Sequence, residues 1–220
     1  MEKVVIFGTS IMAEVVYYYL TKDSPYEVVA FTADKDFIEQ NEFFSLPVIP
    51  FEDIENFYPP DRFKMFVAVG YQKINKVRAK KYEEAKEKGY TLISYISPNA
   101  MVWDNVSIGD NCFIFENNVI QPCVKIGNDV IIWSGNHIGH HGSIGDHCYI
   151  ASHVVICGLV KIEPYCFLGV NATIRDDITI ARECIIGAGA LILESTKEGE
   201  IYRATATEPM PIDSSELRRI

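Results

Sequence analysis

The sequence is poor in basic residues and contains no long hydrophobic run. Its 220 residues include 20 lysines and arginines against 30 aspartates and glutamates, a formal net charge of -10. A surface of this sign repels a phosphate backbone, so no nucleic acid partner is expected. No segment approaches the roughly eighteen uninterrupted apolar residues of a membrane-spanning helix, and the N-terminus does not look like a signal peptide. We therefore expect a soluble, cytoplasmic protein with no membrane insertion.

The dominant pattern in the sequence is a period of six residues. From Ile96 to Ile192 an aliphatic residue recurs at every sixth position without an insertion. The position four residues after each of them is usually small or β-branched. Such a period predicts a solenoid of short strands, in which both positions point inward and each coil covers the next. Three hexads per coil would make a triangular prism.

The hexad register also predicts structural roles for most cysteines. Four of the six take the inward small-residue position: Cys112, Cys148, Cys166 and Cys184. A buried free cysteine behaves as a small hydrophobe, and no CxxC pair is present, so core packing is favoured over disulfides or metal binding. Asn118 and Asn136 occupy the same inward position one coil apart, which predicts a stacked asparagine ladder.

The first 95 residues follow a different pattern. Apolar runs at 3–8, 27–31 and 65–70 alternate with helical stretches at 13–20 and about 73–88. Strands that alternate with helices predict a small parallel sheet of Rossmann type. The lysine and glutamate pairs of the second helix are typical of a solvated face with ion pairs four residues apart.

Ligands of such a sheet bind outside the carboxyl ends of the strands. The candidate contact positions are therefore the Gly8-Thr9-Ser10 turn, the Ala33-Asp34 pair and Gly70. Ser10 and Ala13 stand where a dinucleotide fingerprint would have its second and third glycines, so no nicotinamide cofactor is expected. A simple tight turn at Gly8 is the alternative interpretation.

All five histidines lie within one short span: His137, His140, His141, His147 and His153. His140 falls on the turn after Gly139, and the residue one coil above it is Gly158. The missing side chain there leaves space above one imidazole, as an open catalytic cleft requires. A solvated surface histidine is one alternative. A shared zinc site like that of the γ-type carbonic anhydrases is another, but positions 36 residues before His140 and His141 hold no histidine, so no metal is expected.

A Rossmann-like domain that runs directly into hexads, with the stretch 131–140 (IIWSGNHIGH), resembles the sialic-acid O-acetyltransferase family. That family includes nucleotide-sugar N-acetyltransferases. The resemblance implies a left-handed parallel β-helix, a homotrimer, and acetyl-CoA bound in the groove between neighbouring prisms. It assigns the general base to His140. His141 stands where a carboxylate commonly follows the base, and is the second candidate catalytic residue.

The resemblance also implies a division of the chain and its contact residues. The expected parts are an N-terminal sugar-binding domain (1–95), the β-helix (96–196) and a C-terminal tail (197–220). Acetyl-CoA contacts are expected at Gly158, Val170, Gly187, Ala188 and Gly189. Sugar or nucleotide contacts are expected at Gly8, Ser10, Ile11, Met12, Ala33, Asp34 and Gly70. Members that bind sugar nucleotides usually carry Gly-His-Gly at 11–13 and two acidic residues at 33–34, unlike this chain.

The expected activity is acetyl transfer from acetyl-CoA to the amino group of a nucleotide-linked amino sugar. His140 would take the proton of the attacking amine, a role that suits imidazole. A backbone N–H such as that of Gly158 would stabilise the oxyanion. Two alternatives stay open: O-acetylation of a sugar or sialic acid hydroxyl, and a non-catalytic trimer that only binds or scaffolds.

Overall fold

The N-terminal domain is a five-stranded sheet flanked by helices. We describe residues 1–216 of the chain from a computed structural model. The strands are β1 (Glu2–Phe7), β2 (Tyr26–Ala33), β3 (Glu42–Phe43), β4 (Leu46–Pro50) and β5 (Lys64–Val67), and the helices are α1 (Ile11–Asp23), α2 (Ile54–Phe57) and α3 (Lys76–Glu87). Short 3-10 turns lie at Lys35–Phe37 and Phe51–Asp53. The strand order is β3-β4-β2-β1-β5, with β1 parallel to both β2 and β5.

Strand β1, which lies between β2 and β5, is buried on both faces from Val4 to Phe7, as its unbroken apolar run requires. Val4 and Ile6 face α1 and the C-terminal domain. Val5 and Phe7 point to the opposite side, where they pack with Tyr82 of α3. The predicted small sheet of Rossmann type is therefore confirmed, except that the edge strand β3 runs antiparallel to β4.

The C-terminal domain is a column of two-residue strands, one for each hexad. In chain order they are β6 (Tyr95–Ile96), β7 (Met101–Val102), β8 (Ser107–Ile108), β9 (Phe113–Ile114), β10 (Val119–Ile120), β11 (Lys125–Ile126), β12 (Ile131–Ile132), β13 (His137–Ile138), β14 (Ser143–Ile144), β15 (Tyr149–Ile150), β16 (Val155–Ile156), β17 (Lys161–Ile162), β18 (Phe167–Leu168), β19 (Thr173–Ile174), β20 (Thr179–Ile180), β21 (Ile185–Ile186) and β22 (Leu191–Ile192). A further strand, β23 (Ile201–Tyr202), pairs with β21, so the column includes residues of the segment predicted as a tail. A last 3-10 turn lies at Ser214–Glu216, and the final four tail residues, 217–220, lie outside the described residues.

The strands form three parallel sheets, which are the faces of the predicted left-handed prism. We call β6, β9, β12, β15, β18, β21 and β23 the covered face, because the N-terminal domain packs on it through residues such as Phe113 and Phe115. The polar face consists of β8, β11, β14, β17 and β20. The open face consists of β7, β10, β13, β16, β19 and β22. It exposes several apolar side chains, including Met101, Val155 and Leu191.

Each corner of the prism is turned by a residue in the left-handed region. The third residue after the strand has a positive φ in every hexad turn from Asn111 to Gly189. At every corner from Asp129 onward its N–H donates to a backbone carbonyl of the coil below, as from Leu159 to His140 at 2.8 Å. This inter-coil bond offsets the cost of a conformation that most side chains disfavour. It also explains three histidines, since His141, His147 and His153 all occupy this corner position.

The prediction for α3 was wrong in two respects. The helix begins at Lys76 and not at 73, because Lys73, Ile74 and Asn75 form a turn with positive φ. The expected ion pair between Lys80 and Glu84 is present at 3.5 Å. The helix is nevertheless not a simple solvated face, because Arg78 is completely buried against the column.

The inward positions predicted from the hexads are confirmed, except at the first hexad. The periodic aliphatic residues from Val102 to Ile192 and the four cysteines share one core, whereas Ile96 is 41% exposed. Asn118 and Asn136 form the predicted ladder: Asn136 Nδ2 donates to Asn118 Oδ1 at 2.9 Å, and Asn136 Oδ1 accepts the N–H of Val154 at 2.7 Å. The ladder thus links three successive coils inside the column.

Replacing Asn136 tests how much the ladder stabilises the column. Asn136→Ala leaves buried partners of its amide without hydrogen bonds, so the free energy of unfolding should fall by about 2–4 kcal/mol. Urea denaturation at a fixed protein concentration measures it. The matched control is Asn105→Ala, whose side chain bonds to Cys123 one coil above but is exposed. Equal effects of the two variants would contradict a buried structural ladder.

Candidate functional site

His140 lies on the corner between the open and polar faces. Its side chain is exposed, and its backbone N–H donates to Gln121 Oε1 at 3.0 Å. The left-handed residue of this turn is the next one, His141. The turn therefore has a fixed backbone while the imidazole faces solvent, as a group that meets a ligand must.

Two glycines shape the space around the imidazole. A Cβ at Gly158 would lie 2.9 Å from His140 Nε2 and 2.8 Å from Cε1, so only glycine leaves the ring in place. A Cβ at Gly139 would come within 2.4 Å of the Gly158 nitrogen. His140 and Arg182 occupy the same hexad position as Gly158, and the backbone N–H of each donates to the side chain of the residue nineteen positions earlier. For Gly158 the residue nineteen positions earlier is Gly139, which has no side chain to accept the bond.

The Gly158 N–H therefore remains available to a ligand. Within residues 1–216 it has no hydrogen-bond acceptor. It lies on the same corner as His140, one coil above. A donor of this kind beside a base is the arrangement that stabilises an oxyanion formed next to the base.

His141 contacts the imidazole of His140 directly. The Nδ1 atoms of the two rings are 3.2 Å apart, and the ring planes are nearly perpendicular. One Nδ1 must carry a proton and donate it to the other. If His140 is the donor, its Nε2 keeps a free lone pair on the edge that faces Gly158.

A second corner, between the covered and open faces, carries the other residues predicted to contact acetyl-CoA. Val170 follows β18, and Gly187, Ala188 and Gly189 follow β21 directly above it. Val170, Ala188 and Gly189 are exposed. These residues are not on the corner of His140 and Gly158. The two groups instead border the same open face from opposite sides.

The N-terminal domain has a cavity at the carboxyl end of its sheet. Its volume is about 250 Å³, and it is lined by Thr9, Ser10, Phe37, Ile38, Glu39, Gln40, Glu42, Phe43 and Val48. Ser10 caps α1 without a side-chain hydrogen bond, so the N–H groups of the first turn are not satisfied by that hydroxyl. Two glutamates, Glu39 and Glu42, line the cavity, whereas no lysine or arginine of residues 1–216 does.

The other predicted sugar contacts are divided between core and surface. The side chains of Met12 in α1 and Ala33 in β2 are buried, whereas Ile11 is 80% exposed. Asp34 binds Lys81 Nζ at 2.6 Å and does not line the cavity. Burial opposes the charge of Lys81, but hydrogen bonds to Asp34 and Glu84 outweigh it and raise the pKa of Lys81.

Gly8 and Gly70 lie at the carboxyl ends of β1 and β5 with different constraints. Gly8 has φ +123°, and a Cβ there would lie 2.8 Å from the carbonyl oxygen of Ala68. A Cβ at Gly70 would have no other atom of the described residues within 4 Å, so this position is open. Gly8 is therefore required by the turn itself.

The sequence missed most residues of the cavity wall. Phe37, Glu42, Phe43 and Val48 belong to the 3-10 turn and the β3–β4 hairpin, which the sequence did not predict. Strand β4 contains two prolines, Pro47 and Pro50. It was not predicted, because proline normally argues against a strand with neighbours on both sides. The apolar run at 43–49 was the available signal.

Two cysteines of the column core, Cys112 and Cys148, do not provide a reactive thiolate. Burial raises the pKa of Cys112 to about 12, and it also raises the pKa of Cys148. No group of three or more potential metal ligands is present within residues 1–216. In the same part of the chain, none of the helices has the length and apolar character needed to cross a bilayer.

Two family models match most of the chain. The PglD N-terminal domain matches residues 3–85, and the bacterial transferase hexapeptide model matches 105–140, 123–158 and 159–194. No curated protein sequence matches the chain.

Solved structures share the whole architecture. Perosamine N-acetyltransferase from Caulobacter crescentus, solved with CoA and GDP-perosamine, is 25% identical, with a TM-score of 0.80 over 90% of this chain and 92% of that one. The acetyltransferase domain of PglB from Neisseria gonorrhoeae is also 25% identical, with a TM-score of 0.81 over 91% and 96% of the two chains. WeeI from Acinetobacter baumannii shares the fold at 20% identity, with a TM-score of 0.61 over 90% and 94%.

The two glycines at the strand ends give a matched stability test. Gly8→Ala forces a side chain into a left-handed conformation against the Ala68 carbonyl, and should lower the free energy of unfolding by about 1–3 kcal/mol. Gly70→Ala should change it by less than about 0.5 kcal/mol, because its surroundings are open. Thermal and urea denaturation measure both. A Gly8→Ala variant as stable as Gly70→Ala would show that the turn at Gly8 is not constrained as described.

Proposed function

The chain belongs to the hexapeptide-repeat acetyltransferases that carry a PglD-type N-terminal domain, and we propose that it acetylates the amino group of a nucleotide-linked amino sugar with acetyl-CoA. The observation that carries the proposal is the corner at His140, where an exposed imidazole, a second histidine and an unbonded backbone N–H converge. The reaction would take place in the cytoplasm, where acetyl-CoA is available.

In the proposed reaction His140 acts as the general base. The acceptor amine attacks the thioester carbonyl, and His140 Nε2 takes the proton that the nitrogen loses. The C–N bond forms, the C–S bond breaks, and coenzyme A leaves as a thiolate. No protein nucleophile is needed, in keeping with the raised thiol pKa values of Cys112 and Cys148.

His141 takes the role of the orienting carboxylate in this proposal. With the Nδ1–H of His140 donated to His141 Nδ1, the His140 ring is held in one tautomer and one orientation. His141 is itself fixed, because it occupies the left-handed corner position and its N–H donates to the carbonyl of Pro122 at 3.1 Å. A neutral histidine would hold the ring without adding a negative charge.

The acetyl-CoA groove is proposed to run between two corners of neighbouring subunits. Val170 and Gly187 to Gly189 would contact the donor from one subunit, and Gly158 and His140 from the other. The unbonded N–H of Gly158 would stabilise the oxyanion of the tetrahedral intermediate.

The acceptor is proposed to bind in the cavity of the N-terminal domain. Ser10, Gly8 and Gly70 lie at the sheet edge where open α/β sheets hold ligands. Since no cation among the described residues lines the cavity, a diphosphate there must rely on backbone N–H groups such as those of the first turn of α1. The Caulobacter enzyme that shares this architecture was solved with GDP-perosamine and CoA, a nucleotide sugar and a donor of the proposed kinds.

The positions of the two proposed sites support assembly from several copies, and a homotrimer is the proposed form. The N-terminal domain covers one face of the prism, whereas His140 lies on the corner opposite that face. In one chain the acceptor cavity and the base are therefore on different sides of the column. The open face between the two functional corners carries exposed Met101, Val155 and Leu191. Burying this face against a second copy would bring the cavity of one subunit towards His140 of another.

Replacing the two histidines tests the proposed chemistry. His140→Ala should lower kcat by about 10²- to 10⁴-fold with acetyl-CoA and an accepted amino sugar, because the general base is lost. His141→Ala should have a smaller effect. Thiol release measures the rate, after a thermal-shift screen of nucleotide-linked amino sugars.

The matched control is Asn105→Ala, two coils below His141 on the same corner. It should keep the wild-type rate, and all three variants should remain trimeric. A His140→Ala enzyme with near wild-type turnover would remove His140 from its role. If sugar hydroxyls but no amines are acetylated, the product is an O-acetyl ester; if the wild type transfers to nothing, the chain is a binding or scaffold trimer.

A charge on the open face tests the trimer. Val155→Glu places a carboxylate in the proposed apolar interface, and should convert the trimer to a monomer and abolish transfer while leaving the fold intact. Size-exclusion chromatography with light scattering and circular dichroism report the two properties. The control is Lys161→Glu, the equivalent position of the adjacent strand on the polar face. A trimeric Val155→Glu protein would place the interface elsewhere.

A further inference from the structure

A buried ionic network joins α3 of the N-terminal domain to the column. The side chains of Arg78 and Asp129 are both fully buried, and Arg78 Nε lies 3.1 Å from Asp129 Oδ1. Asp129 occupies a left-handed corner position between the polar and covered faces. The pair is remote from the corner of His140, and the proposed chemistry does not use it.

Arg78 reaches three separate parts of the structure. Its Nη2 donates to the carbonyls of Asp129 and Cys148 in the column, at 3.0 and 3.1 Å. Its Nη1 donates to Asn75 Oδ1 at 3.2 Å and to the carbonyl of Gly70 at 3.3 Å. One guanidinium thus connects two coils of the prism to the loop that follows β5.

Asp129 holds the same segment through a second residue. Asn111 Nδ2 donates to Asp129 Oδ1 at 2.7 Å, while the Asn111 side chain also pairs with the backbone of Val67, accepting its N–H at 2.8 Å. His147 Nδ1 lies 2.8 Å from Asp129 Oδ2, and must donate because a carboxylate only accepts. The carboxylate therefore has a partner on each oxygen.

The network holds both ends of the segment from Val67 to Gly70. This segment leaves β5 at the edge of the sheet where the acceptor is proposed to bind. The next residue, Tyr71, lies with its ring 5.0 Å from those of Tyr149 and Phe167 on the covered face. The segment is thus placed relative to the prism, and not only relative to its own sheet.

Stability alone does not account for an ionic network here. Apolar residues of similar size often replace a buried ion pair without loss of stability, because desolvation offsets much of the attraction. The aromatic contacts of Phe113 and Phe115 already bury a large surface between the domains. What the charged pair adds is direction: Arg78 bonds the carbonyl of Gly70, and Asp129 orients Asn111, whose side chain bonds the backbone of Val67.

We propose that Arg78 and Asp129 are positioning residues that hold the Val67–Gly70 segment in register with the prism, and so place the acetyl acceptor relative to the donor groove. This role rests on the proposed function. It predicts that the network affects the acceptor and spares acetyl-CoA, which binds at other corners.

The test removes both charges together, so that no unpaired charge is left buried. In the double variant, Arg78→Met keeps a long side chain at position 78. Asp129→Asn keeps a residue that tolerates the positive φ of position 129. With acetyl-CoA and the best amino sugar of the screen, we expect KM for the sugar to rise at least tenfold. KM for acetyl-CoA and kcat should stay within about twofold of wild type.

The matched control is Lys76→Met with Glu183→Gln. This pair also links α3 to the same corner of the column, at 2.6 Å, but it is exposed. It should leave both KM values unchanged. Arg78→Lys keeps the positive charge but not the guanidinium that bonds the column, Asn75 and Gly70 together. Its KM for the sugar should lie between those of the wild type and the double variant. Equal changes in both KM values, or a fall in kcat with the melting temperature, would show a merely structural role and overturn the proposal.

Amide hydrogen exchange separates this inference from the proposed function. In the double variant, exchange of the hydrogen-bonded amides of Val67 and Ala68 should speed up at least tenfold, while residues 113–132 of the covered face stay protected as in the wild type. Unchanged exchange at 67–68 would overturn the positioning role whether or not the enzyme has activity. Faster exchange in a protein that acetylates no amino sugar would leave the positioning correct and the proposed function wrong.

Discussion

Parallel pairing between successive coils is the constraint on which the rest of the structure depends. Each two-residue strand matches the strand one coil away in strict register, as Val119 matches His137 and His137 matches Val155. A single insertion would displace every later corner. Because there is none, side chains at equivalent hexad positions are stacked on one corner, and glycine at 158 lies over the ring of His140. The column therefore supplies both the rigidity and the alignment of the site.

The same architecture separates the proposed acceptor cavity from the proposed base within one chain. The N-terminal domain covers one face, and the buried pair of Arg78 and Asp129 fixes how it sits there. His140 is on the opposite corner, and the face that lies between it and the Val170 corner exposes apolar residues. Under the proposed arrangement the active site is complete only between two copies of the chain, so oligomerisation would be required for catalysis.

The periodic half of the fold was predictable because its determinants are local. The aliphatic residue at every sixth position marks the end of each strand. The resulting register predicts that Cys148 is buried and that Asn118 and Asn136 form a ladder. The site was predictable only in part. Gly158 could be placed over His140 by counting, but the contact between His140 and His141 depends on rotamers. The β3–β4 hairpin was hidden by Pro47 and Pro50. The burial of Arg78 could not be predicted, because its partner Asp129 is 51 residues away and pairs with it only after the domains dock.

The most direct test of an active site shared between subunits is complementation between two inactive variants. His140→Ala removes the base, and Ser10→Trp fills the acceptor cavity of an otherwise intact chain. In a cyclic trimer assembled from equal amounts of both, every mixed trimer restores one complete site, so activity should return to about a quarter of the wild-type level. Mixed trimers, verified by native mass spectrometry, that show no activity would mean that His140 and the cavity act within one chain, and would contradict the arrangement described here.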